Sequence, residues 1–143
     1  VASPFSLVRR WGEGGVNDDQ LQHPRCLCVF DSRVVISTCG RISVFGTRGK
    51  FLRSFEWPLS QGYMSFRSIS INGNGDVFTI NPRGKEVVYF NVNSTSQHSL
   101  FVKLSEEPSA VGVCRETSLV AVASRTKVEF HAIPSDETKT PVK

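Results

Sequence analysis

Apolar and polar residues alternate with a period of two along most of the chain, and the alternation itself recurs. Three six-residue runs, "RCLCVF" (25–30), "RSISIN" (67–72) and "SAVGVC" (109–114), stand 42 residues apart. In that register Leu27, Ile69 and Val111 align, as do Val29, Ile71 and Val113. Between them Cys26 aligns with Ser68 and Ala110, and Cys28 with Ser70 and Gly112. Side chains point alternately to the two faces of a strand, so each run predicts a strand with one branched apolar face and one face of small residues. The pair Cys26 and Cys28 is therefore read as packing. Small volume is what cysteine, serine, alanine and glycine share, and a Cys-x-Cys on one strand face lacks the further ligands of a tetrahedral zinc site.

The register continues through three more strands per copy. "RVVIST" (33–38), "DVFTIN" (76–81) and "SLVAVA" (118–123) form the second set, and "RISVF" (41–45), "EVVYF" (86–90) and "KVEFH" (127–131) the third. Between second and third lie Cys39–Gly40, Pro82–Arg83–Gly84 and Ser124–Arg125–Thr126, where glycine and proline suit tight hairpins. A fourth set reads "LVRRW" (7–11), "FLRSF" (51–55) and "FVKLS" (101–105), with Arg9, Arg53 and Lys103 at its third position. Charge on an outermost strand discourages edge-to-edge pairing. No helical period appears along these segments. A repeat of about 42 residues carrying four short strands predicts an all-β fold of β-propeller blades.

In chain order there is one outer strand, then two complete sets of four, then three inner strands. Twelve strands make a propeller segment of about three four-stranded blades over residues 1–133. Three blades are too few to close a ring, since propellers have about four to eight. The segment is thus read as half of a six-bladed ring, closed either by a second copy or by missing sequence. In the first case the N-terminal strand is exchanged to complete the partner's last blade, giving a homodimer. Residues 134–143, "PSDETKTPVK", have no apolar pattern and two prolines, and are expected to be a disordered tail or linker.

The stretch 9–55 resembles the NHL repeat, whose pattern runs from an aromatic–Gly–x–x–Gly segment through a proline to Arg–Ile–x–Val–Phe. Trp11, Gly12, Gly15, Pro24, Arg41, Ile42, Val44 and Phe45 match it in order. The second and third repeats keep only the hydrophobic spacing, and the Asp-x-x-Asn turn before the arginine is shortened to "STCG". The resemblance implies a propeller that binds protein, or RNA in the manner of the tripartite-motif type.

Composition adds little against this picture. Charged residues make up 21% of the 143 residues and hydrophobic ones 39%, an ordinary globular mixture. No apolar run approaches the length of a membrane span, so the protein is expected to be cytoplasmic and to have no membrane partner. The net charge of +4 acquires meaning from its placement. Loops entering the innermost strand and loops between second and third strands share one propeller face, which collects Arg25, Arg67, Arg41, Arg83, Lys85, Arg125 and Lys127. Such a face suits phosphates or acidic peptides. The sequence thus reads as a non-catalytic scaffold whose partner is a protein, with RNA as the alternative.

An enzyme is the contrasting reading, because propeller lyases and hydrolases hold metal at the central channel. The corresponding ring here is His23, Ser65 and Glu107. The neighbouring Arg25 and Arg67 oppose a cation there, and no nucleophile–base pair accompanies the ring. Neither metal nor cofactor is expected.

Overall fold

The structure, a computed structural model, describes residues 5–38, 40–56, 68–81, 85–93, 99–114 and 116–133. Among the described residues eleven strands fall in three antiparallel sheets. Sheet one is β1 (Cys26–Phe30), β2 (Arg33–Thr38), β3 (Arg41–Gly46) and β4 (Phe51–Glu56), paired in that order. Sheet two repeats the pattern with β5 (Ile69–Ile71), β6 (Asp76–Asn81), β7 (Glu86–Asn91) and β8 (Ser99–Lys103). Sheet three has β9 (Pro108–Cys114), β10 (Leu119–Ser124) and β11 (Val128–Ala132). Each sheet is a run of neighbouring hairpins, as short strands joined by short turns dictate. At the β5–β6 turn, the Asn72 side-chain carbonyl accepts from the backbone N–H groups of Asn74 and Asp76. That leaves Gly75, at φ 82°, to make the reversal that a side chain would strain.

The sheets stack as blades, and each joint uses the two faces read from the sequence. Between sheets one and two lie Val35, Ile42 and Val44 on one side, with Ile69, Ile71, Val77, Val88 and Phe90 on the other. Cys26 and Cys28 pack half-buried against that cluster, so the two cysteines are core-facing. Between sheets two and three Phe78, Ile80 and Val87 meet Val111, Val120 and Val122. Phe78 is 1% exposed and lies edge-on to Phe101, ring centroids 5.2 Å apart.

Polar bonds repeat across the joints as well. The Val111 backbone N–H donates to the Ser68 hydroxyl at 3.1 Å, and the Val113 N–H donates to the Ser70 hydroxyl at 3.0 Å. In the first joint the Ile69 N–H donates to the Cys26 sulfur. A residue of the small face thus accepts from the backbone of the bulky residue 43 positions later. This explains why the small positions favour serine and cysteine over alanine within the stack. Burial pushes the Cys26 thiol above its ordinary range, partly offset by the bonds from Ser37 and Ile69.

The expected outer strand at 7–11 does not form. Residues 5–13 pair with no sheet, and 14 and 21 make an isolated bridge. The segment is instead fastened to sheet one through side chains. Trp11 packs on Phe45 with ring centroids 5.2 Å apart, and Arg9 and the Trp11 indole N–H both donate to the Thr47 carbonyl. A strand needs a free sheet edge, and sheet one has all four of its own strands. The tail expected at 134–143 lies outside the described residues. Among the described residues no helix is long and apolar enough to cross a membrane.

Candidate functional site

The start of each innermost strand, the end of the second and the start of the third lie at one end of their sheet, because neighbours run antiparallel. Register fixes this: Cys26 pairs with Ser37 and Thr38 with Arg41 in sheet one, and Asn81 pairs with Glu86 in sheet two. The bonds from Ile69, Val111 and Val113 to the preceding blade align the three innermost strands side by side. The strand ends that flank the loops chosen from the sequence therefore share one edge of the stack.

The side chains on that edge differ from one another. Arg25, Lys85 and Arg125 are exposed, and none makes an ion pair with another described residue. Lys85 sits at φ 50°, in the left-handed region, at the turn into β7. Arg67 and Arg83 lie outside the described residues. Arg41 is buried, and its guanidinium donates to the Asp18 carboxylate at 3.0 Å and to the backbone carbonyls of Asn17 and Gln20 at 2.5 and 3.3 Å. It clamps the 17–20 turn onto sheet one and is withdrawn from the outer surface.

Lys127 is also partnered. Its ammonium lies 2.9 Å from the Glu129 carboxylate and donates to the Ser105 hydroxyl at 3.0 Å. The bond from Lys127, with His131 3.2 Å away on the other side, holds the Glu129 carboxyl below the ordinary range, and the same bond raises Lys127. Acidic groups are interspersed with the cations: Glu86 accepts from the Asn81 amide, the Thr126 hydroxyl donates to Glu106, and Glu107 is exposed. The edge is mixed in sign, unlike the uniformly basic face expected to suit phosphates or acidic peptides.

Of the proposed metal ring, His23 and Glu107 are exposed, while Ser65 lies outside the described residues. Among the described residues no three His, Cys, Asp or Glu side chains converge as metal ligands. The segment linking β4 to β5 begins and ends at this same edge, and its residues include Trp57, Tyr63 and Phe66. Their aromatic composition is the signal that this blade-to-blade connection carries in the sequence.

No family model matches this sequence, and no curated protein matches it. Solved structures do, and they define the class as β-propeller. The WD40 repeats of RRP9 superpose with a TM-score of 0.63 at 15% identity, covering 76% of this chain and 35% of that one. The Neurospora crassa Pan2 WD40 domain gives 0.59 at 11% identity, covering 76% and 32%. Kuenenia stuttgartiensis hydrazine synthase gives 0.64 at 12% identity, covering 85% and 36%. The chain thus spans about a third of the length of these structures, and its fold is a partial propeller. These neighbours are mostly of WD40 type, whereas the sequence pattern at 9–55 resembles NHL. No Trp–Asp dipeptide occurs in the chain.

Proposed function

We propose that this chain is a non-catalytic interaction module, and that the loop edge carrying Arg25, Lys85 and Arg125 docks a protein partner. The observation that carries the reading is the interspersed charge of that edge. Exposed cations alternate with Glu86, Glu106 and Glu107, a pattern that suits the mixed signs of a protein surface. Nucleic-acid affinity rests on phosphate neutralisation by an uninterrupted cationic surface, and Arg41 and Lys127 are engaged elsewhere. The propeller class supports a scaffold role as well.

Trp57, Tyr63 and Phe66 favour a second reading, RNA binding of the tripartite-motif NHL type, because aromatic rings stack on unpaired bases. One experiment separates the two. The chain and its Arg25→Glu/Lys85→Glu/Arg125→Glu variant are used as bait on native extract, with and without nuclease, and bound proteins are identified by mass spectrometry. A protein partner retained after nuclease and lost from the variant supports the proposal. Partners equally abundant on both baits would remove the loop edge as the site. Retention that vanishes on nuclease treatment would transfer the assignment to RNA.

A further inference from the structure

The turn from β5 to β6 carries two Asn–Gly dipeptides in succession, Asn72–Gly73 and Asn74–Gly75. Asparagine is chemically labile, and most so before glycine, where no side chain shields the amide nitrogen that attacks it. By sequence the two pairs are equivalent; the fold separates them. Asn72 is 6% exposed. Its side-chain oxygen accepts from the N–H groups of Asn74 and Asp76 at 2.9 and 3.0 Å, and its side-chain nitrogen donates to the Asp76 carboxylate at 3.1 Å. Asn74 is exposed, and its side-chain amide has no partner among the described residues. The Gly75 N–H beside it makes only a long bond of 3.3 Å, to the Asn72 carbonyl.

We propose that Asn74 is a modification site at which the chain supplies its own nucleophile, and that Asn72 is withheld from the same reaction by its hydrogen bonds. The Gly75 amide nitrogen loses its proton to solvent and bonds to the Asn74 side-chain carbonyl carbon. The side-chain nitrogen takes up a proton and leaves as ammonia, closing a five-membered succinimide. Water then adds at either ring carbonyl and breaks its bond to the ring nitrogen, leaving aspartate or isoaspartate. One water is consumed and one ammonia released, with no oxidant or reductant. The product bears on the joint between sheets one and two. Isoaspartate adds one methylene to the main chain just before Gly75, whose carbonyl accepts from the Val92 N–H at 2.9 Å. Gly75 has little room to move: a Cβ there would stand 3.0 Å from Val92 and 3.5 Å from Phe30 of sheet one. This inference is independent of the loop edge, because the β5–β6 turn lies at the opposite end of sheet two from Asn81 and Glu86.

The folded chain is aged at mildly alkaline pH, with a parallel sample in guanidinium, and both asparagines are read by peptide mapping that distinguishes isoaspartate. In the folded chain the product at Asn74 should exceed that at Asn72 at least about tenfold, since reaction at Asn72 must first break its side-chain hydrogen bonds. In guanidinium the two rates should converge. Asn74→Gln, whose ring would need one more atom, should keep the fold and abolish the product at that position. The isoaspartate form, separated by its added negative charge, should unfold at a lower urea concentration than the unmodified chain. Equal or faster reaction at Asn72 in the folded chain would overturn the proposal. So would the lack of product at Asn74 while the guanidinium sample reacts. An unchanged urea midpoint would contradict the effect on the joint.

Discussion

Replacing Arg41 by alanine should unfasten the N-terminal segment while leaving the sheets intact. The guanidinium makes three hydrogen bonds to the 17–20 turn. Bonds from a charged donor contribute about 1.5–3 kcal/mol each when buried. Asp18, however, is 68% exposed, so that pair belongs near the surface range of about 0–1 kcal/mol. The freed carbonyls of Asn17 and Gln20 can also regain water. A net loss of about 2–3 kcal/mol follows. It is read as a lowered urea midpoint at unchanged slope, in a Trp57→Phe background where Trp11 alone reports. The Trp11 emission should shift to the red, because the 17–20 turn and the Trp11–Phe45 contact close over one face of sheet one. Arg41→Lys keeps the charge but cannot reach three divergent acceptors, and should recover less than half of the loss. A change below about 0.5 kcal/mol with unshifted emission would refute the anchoring role and return Arg41 to the set of residues free to bind a partner.

Two further outcomes concern titratable groups. The exposed Cys114 thiol is lowered by hydrogen bonds from Thr117 and from the Glu116 amide, whereas burial raises Cys26. Thiolates are the reactive form, so peptide mapping after brief iodoacetamide treatment at neutral pH should find Cys114 modified well before Cys26, and Thr117→Val should slow it. For Glu129 the folded carboxyl is held below its unfolded value by Lys127 and His131. Its contribution is therefore present above the ordinary glutamate range and is lost as pH falls through the folded value. Glu129→Gln should flatten the acid limb of stability against pH measured by urea denaturation and, because the same bond raises Lys127, should also flatten the alkaline limb where that lysine titrates.

The blades were legible in the sequence because alternation and turn residues act locally. β2 at 33–38 and β6 at 76–81 begin and end where the pattern places them, each being an apolar run bounded by polar turns. The alignment of Cys26, Ser68 and Ala110 likewise anticipated which face is narrow. The strand at 7–11 was not reliably legible, since its alternation is real but its hydrogen-bonding edge depends on what lies beside the stack. Arg41 illustrates a second kind of limit. Its partners are 21 to 24 residues away in a loop, so its position in a turn suggested exposure while tertiary contact buried it. The pairing of Lys127 was legible as well. A lysine and a glutamate two apart in a strand share a face, and their pairing removes one cation from the candidate edge.

The central claim is that each small-faced innermost strand receives the next blade, and the amides of Val111 and Val113 report on it directly. β9 is the edge of its sheet, and these two N–H groups have as partners the hydroxyls of Ser68 and Ser70 on the neighbouring blade. Native-state hydrogen exchange should find both amides protected like those inside the sheet, with Ser70→Ala accelerating Val113 more than Val111. If both exchange as fast as unbonded edge amides in the unaltered protein, the blades do not stack in this register.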